Sequence, residues 1–334
     1  MTIGSYGADQ SGLIYGYVFS ADGVGRPLNT DQAADWLARR HGARNEFVWL
    51  HFNAAHTGAT NWIRQHLDPP PEFADALKSG SKSTRIEQTH DCLLAVINDV
   101  VYNLLEESAI QAATLWLSIR SDVLLSVRNR PLRSVDRLRE AVNARECFAT
   151  TLALVIHLLR DQADVLVQIM RAATDRVDSM EDNFFSDRLP ARAELGGLRR
   201  DLVRMQRLLA PEPAALFRLL NRPPEWISPV DAQDLRQSTE EFSVVLSDLA
   251  GLQERIKLLQ EEVVAHIGER TNRSVFVLTA VTVTALPINL VAGLFGMNVG
   301  GVPFNQEPLG FWIVVGSLVV VTWIAAWRVF RRPQ

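Results

Sequence analysis

The chain has 334 residues, with 34 Lys and Arg against 38 Asp and Glu, for a formal net charge of −4. That length leaves room for more than one domain, and the slightly acidic balance, with no dominant basic patch, excludes nucleic acid as an expected partner. Cys92 and Cys147 are the only cysteines and lie far apart, which excludes a disulfide framework or a Cys-x-x-Cys zinc finger.

Met1 to Gln10 has no basic stretch followed by an apolar core, so no secretory signal is expected. The run from Leu13 to Ser20 alternates and is rich in Ile, Tyr, Val and Phe, which predicts a strand. Asp22-Gly23 and Gly25-Arg26-Pro27 predict a turn. Thr30 is a suitable N-cap for a helix to Arg40. A second strand is predicted over Glu46 to Phe52, then short helices near Thr57 to Leu67 and Glu72 to Lys78, separated by Pro69-Pro70-Pro71. Further strands are expected at Thr84 to Gln88, Cys92 to Asn98, Ala113 to Ile119 and Val123 to Arg128. Mixed strands and helices followed by helices alone predict an α/β or α+β domain over 1–130, then a helical stalk region over 131–270.

Ser134 to Ser186 reads as a long amphipathic helix with a break near Ala144, and Pro190 to Leu220 as a second, interrupted by Pro211 and Pro213. After Pro223-Pro224 and Pro229, a seven-residue step links Leu235, Phe242, Leu249, Ile256 and Val263, and a second series runs Val245, Leu252, Leu259 and His266. This a/d pattern suits either self-association or a bundle within one subunit. No helix breaker separates it from the apolar run that follows, so stalk and span are expected to form one helix.

Ser274 to Phe295 contains no charged residue, enough to cross a hydrocarbon core as a helix. A first span is assigned to 271–297, a short outer loop to 298–308, a second span to 309–327 and a tail to 328–334. Arg270 and Arg273 precede the first span, Arg328, Arg331 and Arg332 follow the second, and the loop holds no Lys or Arg. Both termini are therefore expected on the cytoplasmic side of an inner or plasma membrane. At 100° per residue, Thr271, Thr282 and Asn289 share one stripe with Val275, Leu278 and Leu286, and Gly293 and Gly296 lie near it. A polar stripe of this kind suits helix packing or pore lining, and packing is the simpler reading. Gly296-Met297-Asn298 ends the span, and an irregular backbone at membrane depth must be buried in protein or line water.

Gly-Met-Asn closing the penultimate span resembles the CorA-type metal ion transporters. The strings Glu269-Arg270-Thr271-Asn272-Arg273, Leu286-Pro287-Ile288-Asn289-Leu290 and Gly293 to Pro303 are similar to the family's zinc-transporting ZntB branch. The resemblance implies a funnel-shaped homopentamer in the lipid bilayer, with the first spans lining a pore and Gly296, Met297 and Asn298 forming an ion-binding ring. It also implies divalent cations, zinc preferred, as cargo, and turns the Thr282 and Asn289 stripe toward the pore. Magnesium, cobalt or nickel as cargo and a non-transporting membrane scaffold are the alternatives, and coupling to protons stays open. The magnesium branch places an acid soon after its motif; here the first is Glu307.

Glu262, His266 and Glu269, on successive turns of the stalk, form a weaker metal candidate. The remaining histidines read as structural. No phosphate-binding loop, nucleophile elbow or His-Glu-x-x-His motif occurs, so neither an enzyme nor a resident cofactor is expected.

Overall fold

A computed structural model describes residues 7–39, 46–89, 91–101, 111–190, 192–297 and 309–330. The chain divides into a unit from Met1 to Leu259 and a unit from Gln260 to Gln334.

The first unit is built on a seven-stranded sheet of β1 (Leu13–Phe19), β2 (Gly25–Leu28), β3 (Phe47–Asn53), β4 (Arg85–Thr89), β5 (Cys92–Val101), β6 (Gln111–Ile119) and β7 (Val123–Arg128). The spatial order is β2-β1-β3-β7-β6-β5-β4. Among the described residues only β3 and β7 pair in parallel, Val48 opposite Val123 through Asn53 opposite Arg128. The sequence explains this order. β3 (FVWLHFN) and β7 (VLLSVR) are buried at every position, as strands covered on both faces must be. The edges are short and polar, β2 (GRPL) with a proline that cannot donate to a ladder and β4 (RIEQT) with its charges outward. β2 falls where Gly25-Arg26-Pro27 predicted only a turn. An edge strand tolerates turn residues because one of its sides needs no hydrogen bonds.

Two helical layers cover the sheet. On one face lie α1 (Thr30–Arg39), α2 (Thr57–His66) and α3 (Pro71–Ser79), where Leu37, Trp62, Ile63 and Phe73 meet Val48, Leu50, Phe52, Val96 and Trp116. The other face packs α4 (Arg133–Asn143), the start of α5 (Thr151–Phe185) and α7 (Pro211–Asn221) onto Phe47, Trp49, Leu93, Ile97, Leu115, Leu117 and Leu124. The break predicted near Ala144 separates α4 from α5, and Thr150 caps the new helix by accepting from the Ala153 N–H at 3.0 Å. The interruption at Pro211 separates α6 (Arg192–Leu209) from α7.

The next helix, α8, runs without a break from Pro229 to Phe295 and includes Pro287, which lacks the N–H that would reach the Val283 carbonyl. Its 67 residues rise about 100 Å at 1.5 Å each. In the first unit Leu235, Phe242, Leu249, Leu252, Ile256 and Leu259 are buried within the single chain. The heptad seam is therefore occupied by intrachain packing. Val245 is an exception to the predicted register: it is half-buried, and its neighbour Leu246 takes the interior position. Helical period 3.6 drifts from a strict seven-residue step, so an inner position shifts by one residue along a straight helix. The second unit holds the rest of α8 and α9 (Gly310–Phe330). Among the described residues α8 alone carries a stretch long and apolar enough to cross a membrane; α9 is apolar over Gly310–Ala325.

Candidate ion-path site

The polar stripe lies on α8 in the second unit. Thr271, Val275, Leu278, Thr282, Leu286 and Asn289 are all exposed in the single chain. The hydroxyls turn back on the helix: Thr271 Oγ1 donates to the Ile267 carbonyl at 2.9 Å and Thr282 Oγ1 to the Leu278 carbonyl at 2.8 Å. Each bond uses the hydroxyl proton inside the helix and leaves oxygen lone pairs facing outward. The two threonines thus present acceptor oxygens, the polarity that a cation or its hydration water meets favourably, and Asn289 adds an amide with both a carbonyl acceptor and N–H donors. The same bond shape occurs at Ser274, to the Arg270 carbonyl at 3.0 Å, and at Thr284, to the Ala280 carbonyl at 2.7 Å.

α8 ends at Phe295. The Gly296 N–H donates to the Ala292 carbonyl at 2.9 Å, and the Met297 N–H meets the Leu294 carbonyl at 3.4 Å, an i−3 contact that tightens the last turn. A Cβ on Gly296 would sit 3.2 Å from the Ala292 carbonyl oxygen and 3.5 Å from that of Gly293, so glycine spares the last turn a tight contact. Met297 is half-exposed beside it. Asn298 and Glu307, the remaining residues of the predicted ring and mouth, lie outside the described residues.

Glu262 and Glu269 are exposed on α8 and His266 is half-buried between them. Among the described residues no three of His, Cys, Asp and Glu are arranged to hold a metal. The physical reason is the rise of the helix: seven residues separate Glu262 from Glu269 by about 10 Å, while ligands to one divalent ion lie within roughly 2–2.6 Å of it.

Two buried polar clusters in the first unit escaped the sequence reading. In one, His51 Nδ1 lies 2.7 Å from Ser126 Oγ, which also accepts from Trp49 Nε1 at 2.8 Å. The Tyr15 ring stacks on His51 at 4.7 Å, and Arg139 sits over that ring at 4.8 Å. Arg128 donates to Asp136 at 3.2 Å beside them. Burial, with the Arg128 and Arg139 cations adding to it, holds the His51 imidazole well below its ordinary value. The cluster ties α4 to the sheet through the Arg128–Asp136 pair and Arg139 over the Tyr15 ring. The only sequence signal was His51 inside an otherwise apolar strand.

The second cluster joins β5, α4, α5 and α7. Ser134 Oγ donates to Asp99 Oδ2 at 2.6 Å, and Gln162 Nε2 donates both to the Asn98 carbonyl at 2.8 Å and to Glu212 Oε2 at 3.2 Å. Glu212 is fully buried. Its signal was present in Pro211-Glu212-Pro213, which the proline pattern alone marked as an interruption.

A family model described as "CorA-like Mg2+ transporter protein" matches residues 44–332. The chain is 30% identical over 337 residues to the "Divalent cation transporter CmaX" of Pseudomonas aeruginosa, covering 97% of each chain. It is 23% identical over 325 residues to the "Zinc transport protein ZntB" of Yersinia pseudotuberculosis, covering 96% of this chain and 95% of the relative. Its fold matches the solved structure of full-length CmaX with a TM-score of 0.82 at 28% identity, over 96% of this chain and 99% of that one.

Proposed function

We propose a function from one premise: this chain belongs to the CorA-like Mg2+ transporter family, whose members are ion transporters and not enzymes. Its function is the movement of divalent cations across a membrane. The finer reading is that zinc is the preferred cargo, that five copies assemble around a pore lined by the α8 stripe, and that Gly296, Met297 and Asn298 form the ring that receives the ion. In this reading α9 is a second span, both termini are cytoplasmic in the inner membrane, and Glu307 supplies negative charge at the mouth.

The observation that carries it is the single helix from Pro229 to Phe295, with threonine acceptor oxygens on one stripe and a tightened last turn that stops at Gly296 and Met297. A ring of neutral carbonyl and amide oxygens binds a strongly hydrated divalent ion through its water shell, so the ion need not shed all its waters to enter. Val275, Leu278 and Leu286 would then form apolar constrictions that close by dewetting. Asn289 near mid-span costs roughly 2–3 kcal/mol if it faces lipid, by the scale for strongly polar side chains, and much less if it faces the water of a pore. Zinc is supported by the name of one relative and by the strings shared with the zinc branch.

The test is flux of Zn2+, Mg2+, Co2+ and Ni2+ into proteoliposomes holding the purified oligomer and a metal-sensitive dye, under imposed pH gradients of either sign. Zinc is expected to move fastest, and Asn298→Ala to abolish flux while the oligomer persists in size-exclusion chromatography. No flux from a folded oligomer leaves only a membrane scaffold. Flux of Mg2+ faster than Zn2+ overturns the zinc assignment, and undiminished flux in Asn298→Ala overturns the ring.

A further inference from the structure

Among the described residues, Glu212 is a carboxylate that the fold encloses completely and leaves half satisfied. The residue has no exposed surface, its Oε2 accepts one hydrogen bond, from Gln162, and its Oε1 has no partner. A buried carboxylate normally collects two or three donors, and the first turn of a helix normally supplies them. Glu212 occupies the first turn of α7, but Pro211 and Pro213 remove two N–H groups from that turn, and the N-cap residue Ala210 offers no side-chain bond. The local sequence has thus depleted the anion site that a helix N-terminus would provide.

The surrounding groups oppose a charge further. β5 brings Asp99, whose carboxylate accepts from Ser134 Oγ at 2.6 Å and from the Ser134 N–H at 3.3 Å at the start of α4. Two neighbouring acids with unequal donors divide their roles: the one supplied with hydrogen bonds carries the charge, and the other holds the proton. From α5 comes the neutral Gln162. β4, against which α7 lies, carries Arg85 and Glu87, which pair with each other at 3.9 Å. Arg204 and Arg207 near the end of α6, and Arg218 on α7 itself, are exposed. Burial, opposed by the Gln162 hydrogen bond and reinforced by the charge of Asp99, raises the Glu212 acid to about 8.

We propose that Glu212 is a proton-binding site of the first unit, and that its proton latches α7 onto β4, β5 and α5. When the carboxyl is neutral the cluster is a set of hydrogen-bonded dipoles. When it ionises, two like charges share a dry space, and the relief available is for α7 to lift and admit water. Only Ala210 separates α6 from α7, so a lifted α7 draws on the end of α6. The device needs no transported ion and stands apart from the reading of the pore.

The sign follows from linkage. In the latched form Glu212 holds its proton up to about pH 8, and in the lifted form it titrates near the ordinary glutamate value of about 4.3. Between these limits the lifted form releases a proton that the latched form keeps, so each pH unit favours lifting up to tenfold. Above about pH 8 both forms are ionised and the effect levels off.

Hydrogen–deuterium exchange of the full-length protein in lipid nanodiscs tests this between pH 5.5 and 9, with intrinsic exchange rates divided out. In the wild type, protection of the α7 peptides is expected to fall by up to tenfold per pH unit to about pH 8 and then plateau, while β3 and β7 stay unchanged. Glu212→Gln, which keeps shape and removes titration, is expected to give a flat profile. Asp99→Asn removes the like charge and is expected to move the plateau to lower pH with a smaller total fall. An infrared band of a protonated carboxyl that disappears on alkalinisation in the wild type and is absent in Glu212→Gln gives a readout independent of helix motion. A flat wild-type profile, an unchanged slope in Glu212→Gln, or protection restored by divalent metal at high pH would overturn the proposal.

Discussion

Arg255 of α8 grips Glu181 of α5 with two nitrogens: Nε donates to Oε1 at 2.8 Å and Nη2 bonds Oε2, while Nη2 also meets Asp178 Oδ1 at 2.6 Å. Two more cross-links tie α8 to α5 and its N-cap among the described residues. Thr150, just ahead of α5, donates to Asp231 at 3.2 Å, and Arg160 donates to Ser238 at 3.1 Å. Position rises along both helices in the same order, so α5 and α8 run parallel through the first unit.

The clamp is half-exposed, and water screens it. Arg255→Met is therefore expected to cost about 1 kcal/mol or less in urea unfolding, and less still at high salt. Arg255→Glu is expected to cost more, because it places a third acid beside Asp178 and Glu181. The exchange Glu181→Arg with Arg255→Glu is expected to recover most of that difference. A loss above about 3 kcal/mol in Arg255→Met would mean that the pair is screened far less than its exposure indicates.

His51 gives a pH prediction opposite in sign to that of Glu212. Its folded value is lowered, so the neutral imidazole is the form the fold accepts. Stability linked to His51 is complete above the unfolded value of about 6.5 and is lost as pH falls below it, by about 1.4 kcal/mol per unit where only the unfolded chain takes up the proton. His51→Gln is expected to reduce overall stability, because Ser126 and the Tyr15 stack lose their fit, and to remove this acid-side slope. The check is the difference between wild-type and variant unfolding free energies from pH 5 to 7, which cancels every other titrating group. An identical slope in both proteins would place the acid sensitivity elsewhere.

Most of the architecture was readable from the chain because its signals are local. Alternation marked β1, the break read near Ala144 falls between α4 and α5, and the seven-residue step traced most of the inner face of α8. The order of the sheet was not readable, since the parallel neighbours β3 and β7 are 70 residues apart between Asn53 and Val123 and no local pattern pairs them. The stripe on α8 could be drawn because one helix carries all its members. Glu212, Gln162 and Asp99 come from three elements, and a lone glutamate between prolines looks like any exposed first-turn acid. Periodicity reports which face a residue occupies, and only the tertiary packing reports whether that face has donors.

The seam makes a prediction about what α8 does before it reaches the apolar stretch. Leu249 and Ile256 have no exposed surface, whereas Val244 on the outer side is 60% exposed. Leu249→Ala is expected to destabilise the first unit by about 2–5 kcal/mol, through lost transfer energy and the cavity left behind. Val244→Ala is expected to change it by less than about 0.5 kcal/mol. Urea unfolding followed by tryptophan fluorescence measures both. If Leu249→Ala were neutral and Val244→Ala costly, the buried face would have been assigned to the wrong side of the helix.

Thr282 and Thr284 offer a direct comparison of the two sides of the apolar stretch. Both hydroxyls donate to the carbonyl four residues back, at 2.8 and 2.7 Å, so replacing either with valine removes the same internal bond and keeps nearly the same shape. They differ in direction: two residues at 100° each put Thr284 on roughly the opposite side of α8. On the proposed path, Thr282 presents its oxygen to the hydrated ion and Thr284 presents its own to lipid or to a neighbouring helix. Losing one water-mediated acceptor is worth about 1 kcal/mol, so Thr282→Val is expected to slow metal flux about 3- to 10-fold. Thr284→Val is expected to leave flux within about twofold of wild type, with both variants assembling normally. Initial rates in proteoliposomes, normalised to incorporated protein, decide it. Equal impairment in the two variants would tie the effect to helix stability. Impairment in Thr284→Val alone would turn the path to the other face.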